Sequence, residues 1–286
     1  MIQPILTSDE SGMTCILQRQ QSMVLVTYNF ETQAVHTLYE TTEQITSFAE
    51  LKEAYIVLQN EQLVQISKAT LQSTVIGQAQ QIQQFQPSGF VYVLNGECFE
   101  VNGDTETNIG QIECLYKTVG AFYMYKKDSS VFYRLDGQSY ELILDFELES
   151  AALSFDGRYI AMYGQQFGMR QLFVYDIEQQ IVQNMTEMLD EAIGFNAKSY
   201  SVEAPSWTET NAFYFLVNAN EEVRLYYGDL YGTLLPASPE EERIYAYTVA
   251  KSGNWAVTAS ITIENKNKYA QLDITTGIEL EINLYQ

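Results

Sequence analysis

The feature that most constrains this chain is a degenerate repeat of about forty residues that runs along its whole length. One landmark is a turn, glycine-containing in five of its copies, at positions 12, 53, 89, 120, 157, 210 and 253. The second is an apolar strand closed by a polar residue at position 29, 67, 102, 136, 176, 229 or 273. Both series divide the chain into the same seven units, and both contain the same long fifth step of 53 residues.

The clearest copy of the repeat lies in residues 152–185. Residues 152–155 are predicted to form a short, mainly apolar strand, and Asp156-Gly157 is a tight-turn dipeptide. Residues 158–163 and 171–176 carry apolar side chains at alternate positions, and residues 181–185 follow a further turn. Alternation of this kind predicts strands, so this copy of the repeat is a unit of four short antiparallel strands.

Four-stranded units repeated at this spacing predict an all-β fold, a seven-bladed β-propeller, because a single blade cannot bury both of its faces. We expect one domain over residues 1–286, with blades at about 1–42, 43–78, 79–110, 111–146, 147–186, 187–240 and 241–286. Six or eight blades remain the alternatives. Strands can be drawn at residues 2–7 and at four places after residue 243, so closure by a shared strand is not required.

Residues 153–161 (LSFDGRYIA), followed by residues 172–178 (LFVYDIE), resemble the repeat of TolB-like (WD-repeat-like) β-propellers. The same propeller type is the accessory domain of prolyl-oligopeptidase-like peptidases. The resemblance implies a fold and no particular activity. The sequence lacks the Gly-x-Ser-x-Gly motif of the hydrolase domain of those peptidases.

The net charge of −22, from 15 basic and 37 acidic residues, argues against nucleic acid and membrane surfaces as partners. Cys15, Cys98 and Cys114 have no metal-ligand or disulfide spacing, and we expect buried free thiols. No signal peptide or membrane span is visible, so we expect a cytoplasmic protein. The glutamine-rich residues 78–86 are interpreted as a polar loop or an edge strand.

No catalytic constellation, cofactor motif or metal site is predicted. His36 is the single histidine, so a catalytic triad has only one candidate base and a zinc site lacks ligands. Residues 102–106 (NGDTE) place oxygen ligands close together, but they are explained as the turn after a third strand.

One distribution of charge suggests a binding face. The loops between second and third strands should open on one face of a propeller, and they carry seven of the 15 bases: Arg19, Lys126, Lys127, Arg170, Arg224, Lys266 and Lys268. Such a face could bind an anionic ligand or an acidic partner segment, although charged turns are common on any surface.

Residues 186–199 form an insertion in which a short helix is predicted from the spacing of apolar residues.

We therefore expect a non-enzymatic binding or scaffold propeller that engages a protein or peptide on this face. Two alternatives stay open: an enzyme that binds a small molecule or a carbohydrate in the central funnel, and an accessory subunit of a separately encoded hydrolase.

Overall fold

The computed structural model describes residues 2–7, 9–87, 89–187, 192–193, 204–219, 222–239, 243–262 and 264–284, and every regular element among them is a β-strand. The chain forms two compact units. Unit 1 comprises Met1–Cys15, Tyr28–Val35 and Asp145–Gln286, and unit 2 comprises Ile16–Thr27 and His36–Leu144. The residues of the first sheet are divided between the two.

Consecutive strands form four-stranded sheets in the first half of the chain. The first sheet contains β1 (Ile2–Leu6), β2 (Gly12–Arg19), β3 (Ser22–Asn29) and β4 (Val35–Thr41). The second contains β5 (Ile45–Glu50), β6 (Ala54–Gln59), β7 (Gln62–Ser67) and β8 (Ser73–Gln78). The third contains β9 (Gln81–Gln86), β10 (Gly89–Leu94), β11 (Glu97–Asn102) and β12 (Thr105–Gln111). The fourth contains β13 (Cys114–Leu115), β15 (Phe122–Lys127), β16 (Ser130–Leu135) and β17 (Gln138–Leu142), and the short β14 (Lys117–Val119) follows β13.

The second half continues the pattern. One sheet contains β18 (Glu147–Leu153), β19 (Tyr159–Gln166), β20 (Met169–Asp176) and β21 (Ile181–Asn184). The next strands are β22 (Ala192–Ile193), β23 (Ser206–Trp207), β24 (Phe213–Ala219), β25 (Glu222–Gly228) and β26 (Leu234–Pro236). The last are β27 (Arg243–Val249), β28 (Trp255–Ile261), β29 (Asn267–Asp273) and β30 (Glu279–Glu281). A single parallel residue pair, Val223 with Arg243, joins β25 to β27 within one nine-stranded sheet.

The strands predicted from the sequence recur in this structure, with differences at their ends. All seven third strands are confirmed as β3, β7, β11, β16, β20, β25 and β29. The strand predicted at residues 152–155 instead ends at Leu153, because Ser154 begins the turn. Of the insertion at residues 186–199, Ala192–Ile193 are strand and pair with β24, so the predicted helix is wrong at these two residues. Residues 188–191 and 194–199 lie outside the described part of the chain.

The hydrophobic core lies between the faces of neighbouring sheets. In unit 2, Ile56 and Leu63 of the second sheet cluster with Phe90 of the third. In unit 1, Leu172 of β20 clusters with Phe213 and Phe215 of β24. Side chains from facing sheets therefore exclude water together, as expected for sheets that each have two apolar faces.

The polar residues that close the third strands have a structural role in the turns that follow. Oδ1 of Asp176 accepts hydrogen bonds from the backbone amides of Glu178 and Gln179. Asp229 accepts in the same way from Tyr231 and Thr233. A side-chain oxygen at this position replaces the missing backbone acceptor of the turn. The recurrence of Asn and Asp at these positions thus reflects turn chemistry.

The turn glycines serve two different purposes. At Gly157 the backbone has φ of 71°, the left-handed conformation expected for a tight turn. Gly12 instead permits a close approach of two strands, because a Cβ there would lie 2.4 Å from the carbonyl oxygen of Tyr28. Gly12 does not have a positive φ, so its role is this close approach and not a left-handed turn.

The glutamine-rich segment contains the edge strand β9, whose side chains bind the strands on either side of it. The side-chain amide of Gln84 donates to the carbonyl of Glu50 at 2.6 Å and accepts from its N–H at 2.9 Å. Gln83 exchanges the same pair of bonds with Thr118, at 2.7 and 3.2 Å. A primary amide has one carbonyl and N–H donors, so each glutamine pairs with the neighbouring backbone as a strand residue would.

In unit 1 the turns between first and second strands bind one another. Asn211 donates to Asp156 at 2.8 Å, and the amide of Glu209 donates to the carbonyl of Lys251 at 2.8 Å. The amide of Lys251 in turn donates to a carboxylate oxygen of Glu10 at 2.7 Å. This last bond joins the turn between β27 and β28 to the turn between β1 and β2. In the described chain, the first sheet and the nine-stranded sheet share no strand.

We predict that Gln84→Ala lowers the free energy of unfolding by about 2 kcal/mol, since it removes two hydrogen bonds to the backbone of Glu50. Chemical denaturation of the full chain measures this change. Gln138→Ala, at an exposed glutamine of β17, is the matched control and should change the stability by less than about 0.5 kcal/mol. Equal effects of the two substitutions would contradict the pairing role of Gln84.

We also predict that stability falls as the pH drops from about 4 to about 2. Hydrogen bonds from the Thr7 hydroxyl and the Ser11 amide lower the pKa of Asp9 to about 2, and the Thr276 amide lowers the pKa of Asp273. A carboxylate with a lowered pKa stabilises the folded state above its unfolded pKa, and this contribution is lost on protonation. The double variant Asp9→Asn and Asp273→Asn keeps the acceptor oxygens. Its loss of stability across this pH range, measured by urea unfolding, should be smaller than that of the wild type.

Candidate functional site

The seven bases of the predicted face all lie at or near hairpins between second and third strands. Arg19 is the last residue of β2, and Lys126 and Lys127 end β15. Arg170 and Arg224 lie at the second and third residues of β20 and β25. Lys266 precedes β29, and Lys268 is its second residue. Each base therefore lies beside a hairpin of the kind that the repeat predicts.

Most of these bases have partners. Nζ of Lys126 lies 3.3 Å from a carboxylate oxygen of Glu113, and Nζ of Lys266 lies 2.6 Å from that of Glu264. Lys268 pairs with Glu279, and Arg170 pairs with Glu149. The guanidinium of Arg224 donates to the carbonyl of Ser238 at 2.8 Å. Because at least four of the seven carry an adjacent carboxylate, the positive charge offered to an anion is largely compensated.

The structure places three of the bases of unit 1 at one end of the nine-stranded sheet. The pair between Val223 and Arg243 makes β25 parallel to β27, and β29 runs in the same direction as β27. The beginnings of these strands therefore lie at the same end. Arg224, Lys266 and Lys268 all belong to that end.

The hairpin between β19 and β20 presents an apolar tip that sequence reasoning missed. The side chain of Phe167 is 92% exposed, and that of Met169 is 60% exposed. The two-residue turn is Phe167-Gly168, with φ of 52° and 79°. Two successive positive φ values define the turn type that prefers Asn-Gly or Asp-Gly, so a phenylalanine is unexpected here.

Three other hairpins of the chain show what this turn ordinarily contains. Asn60, Asn95 and Asp128 occupy the corresponding position, with φ of 42°, 52° and 51°. Asn and Asp tolerate the left-handed conformation because their short polar side chains bond locally, whereas a phenylalanine there costs about 1 kcal/mol. The signal in the sequence was the Phe-Gly dipeptide between two alternating strands, at a place where three other copies have Asn or Asp and the copy between β2 and β3 has Gln20.

Polar contacts hold the base of this hairpin in one position. The guanidinium of Arg170 binds Glu149 through two of its nitrogens, one bond being 3.0 Å long. Gln165 donates to the same carboxylate at 2.6 Å, and Gln166 donates to Asp145 at 3.0 Å. A two-pronged arginine–carboxylate pair fixes geometry as well as charge. Arg170, predicted as a ligand-binding base, therefore also positions the tip.

Other candidates for chemistry are dispersed. His36 is exposed on β4, and Cys15 and Cys98 are buried free thiols whose pKa burial raises to about 12. Cys114 is also a free thiol, but it is only half-buried. Residues 102–106 form the predicted hairpin turn between β11 and β12. Across the described residues there is no group of three or more His, Cys, Asp or Glu suited to a metal ion, and no helix with the length and hydropathy to cross a membrane.

Solved structures show that the chain has the β-propeller fold. It matches a Pyrococcus horikoshii acylaminoacyl peptidase with a TM-score of 0.69 and 11% identity, over 99% of this chain and 52% of that one. It matches the β-propeller domain of the Trilobed protease from Pyrococcus furiosus with a TM-score of 0.52 and 13% identity, over 99% of this chain and 84% of that one. That domain is described as having an open velcro topology. It matches a putative TolB from Agrobacterium tumefaciens with a TM-score of 0.58 and 10% identity, over 93% of this chain and 90% of that one.

The likeness extends to the fold alone at these identities. The chain spans about half the length of the peptidase that it matches. No protein-family model and no curated protein sequence matches it.

We predict that Glu149→Ala loosens the hairpin, because Arg170 and Gln165 lose their shared partner. Backbone amides of residues 164–171 should exchange with solvent about tenfold faster, corresponding to a local loss of about 1.4 kcal/mol. Hydrogen-exchange mass spectrometry measures the change. Glu147→Ala, at an exposed residue of the same strand, should leave this exchange unaltered.

Proposed function

We propose that this chain is a non-catalytic, seven-bladed propeller that binds a protein or peptide partner through the tip of the β19–β20 hairpin. The observation that carries the proposal is Phe167, a large aromatic side chain that is 92% exposed in a left-handed turn conformation. The seven units of the sequence repeat and the seven third strands support the blade number.

A residue of this kind is unfavourable for the free protein in two ways. Its backbone conformation is strained, and its ring is left in contact with water. Both costs would be reduced by an asparagine, which the corresponding turns at Asn60 and Asn95 already have. Retained strain together with an exposed aromatic favours a binding role, since aromatic anchors contribute most of the energy at many interfaces.

The rigid base of the hairpin supports the same role. Because Arg170 and Glu149 hold each other, the base of the hairpin is fixed before a partner arrives, and less conformational entropy is lost on binding. In this proposal the bases of the face steer and orient a partner more than they anchor it. The net charge of −22 supports a protein partner over nucleic acid or a membrane surface.

A second candidate is an accessory role beside a hydrolase. Its support is the likeness to peptidases of which this chain spans about half. The partner would then be a protein that carries a hydrolase active site. A catalytic role of the propeller itself, in a central funnel, has no such support.

The variant Phe167→Asn tests the proposal, and we predict opposite effects on stability and binding. The free energy of unfolding should rise by about 1 kcal/mol, because asparagine suits the turn. Capture of partners from the source cell, quantified by mass spectrometry against the wild type, should be lost.

Tyr231→Ser is the matched control, because Tyr231 is 95% exposed in the turn after β25. It should retain the wild-type partners. Partners that bind Phe167→Asn as well as the wild type would show that the tip is not the site. A hydrolase partner would be recognised in the same captured material by a serine-reactive fluorophosphonate label.

A further inference from the structure

A second surface, in unit 2, lies along the outer strand β8. This strand pairs with β7 and is the last strand in the order of its sheet. No charged residue occurs from Ala69 to Gly96, in a chain that is 18% charged. Val75 and Ile76 are 57% and 45% exposed. The register of β8 on β7 shifts at Ile76, since Val75 lies opposite Val64 and Gly77 lies opposite Leu63. Exposed edges usually carry charges that discourage pairing with another chain, and β8 has none.

The outer backbone groups of β8 face away from its sheet. The amide of Ser67 donates to the carbonyl of Gln72 at 3.0 Å, so the backbone carbonyl of Gln72 points towards β7. The register then places Ser73 opposite Ile66 and Val75 opposite Val64. Bonded and non-bonded pairs alternate in antiparallel strands, so the peptide groups of Ser73 and Val75 point outward.

A cavity of about 560 Å³ adjoins this strand, between the second and third sheets. Ile56, Leu63 and Ile76 line one side of it, and Phe90, Tyr92 and Val101 line the other. Its volume lies within the usual range for binding pockets, and its apolar walls suit aliphatic side chains.

The charges around this cavity are mainly negative. Glu53, Asp104 and Glu106 line it together with a single base, Lys52. The hydroxyl of Tyr92 donates to Oε2 of Glu106 at 3.0 Å, and this contact orients the carboxylate beside the aromatic wall. A cationic side chain is therefore the complementary group.

We propose that β8 and this cavity bind an extended, basic segment of a partner protein by strand addition. Main-chain bonds form with the peptide groups of Ser73 and Val75, apolar side chains of the segment enter the cavity, and a lysine or arginine pairs with Glu106. The occupant is a basic segment and not a second copy of this chain, because two copies at −22 each repel one another. This site is independent of the Phe167 tip.

The experiment uses the full chain and a dye-labelled, end-capped octapeptide of alternating lysine and valine. Binding is measured by fluorescence anisotropy at about 0.15 M salt, where long-range attraction is screened. A peptide with glutamate in place of lysine should bind at least about tenfold more weakly. Glu106→Lys should weaken the lysine peptide about fivefold or more, and Glu141→Lys, at an exposed residue of the outer strand β17, should not.

Strand addition is tested without altering the protein, by methylating alternate backbone nitrogens of the peptide. Methylation of one alternate set should abolish binding, and methylation of the other set should leave it within about threefold, because only one set of N–H groups faces β8. Val75→Pro should likewise abolish binding, since it removes an outward N–H, and Val75→Thr should retain it. Thermal unfolding checks that both variants fold.

Three results would overturn the proposal. Equal binding of both methylated peptides would show that the cavity takes side chains without main-chain pairing. Equal binding of the lysine and glutamate peptides would remove the role of the acidic groups. Self-association in sedimentation that Val75→Pro reverses would identify a second copy of the chain as the occupant.

Discussion

The unpaired edge of a four-stranded sheet is the constraint on which the rest of this structure depends. Each sheet ends in strands whose outer N–H and C=O groups need partners or water. In unit 2, Gln83 and Gln84 of β9 supply those partners to Thr118 and Glu50 through their side-chain amides. In unit 1, turns bind turns, and the carboxylate of Glu10 accepts from the amide of Lys251. Neighbouring sheets are thus joined by polar contacts at their edges as well as by the apolar core between their faces.

Edges that are not satisfied internally are available for binding. The outer side of β8 combines outward peptide groups, exposed Val75 and Ile76, and an adjoining apolar cavity. The tip at Phe167 differs in kind, because its exposed group is an aromatic side chain on a rigid hairpin. Each surface lacks a feature that would suit the protein without a partner. The β8 edge has no charged residue to discourage pairing, and the turn at Phe167 has no asparagine to relieve the backbone strain. Both proposals place the binding group on a hairpin or an edge strand that is held by a rigid sheet.

The predicted basic face shows where reasoning from a single sequence ends. The repeat located Arg170 and Lys268 correctly beside hairpins, since position along a strand follows from alternation. It could not reveal Glu149 and Glu279, the partners that each base meets across the sheet. Cross-strand partners depend on register, and register depends on bulges such as the one between Leu148 and Ser150. A charge count by loop therefore overestimates the free positive charge.

The sequence by itself determined the all-β class, the seven third strands and the turns that close them. Those features are local: alternation of apolar residues sets the strands, and residues such as Asp176 and Gly157 suit the backbone of one turn. Tertiary structure decided the rest. It gave the glutamines of β9 a pairing role, made Gly12 a point of close approach to Tyr28, and brought the walls of the β8 cavity together from two sheets. Each of these depends on which surfaces face each other after folding, and contacts between residues distant in sequence leave no periodic signal in the chain.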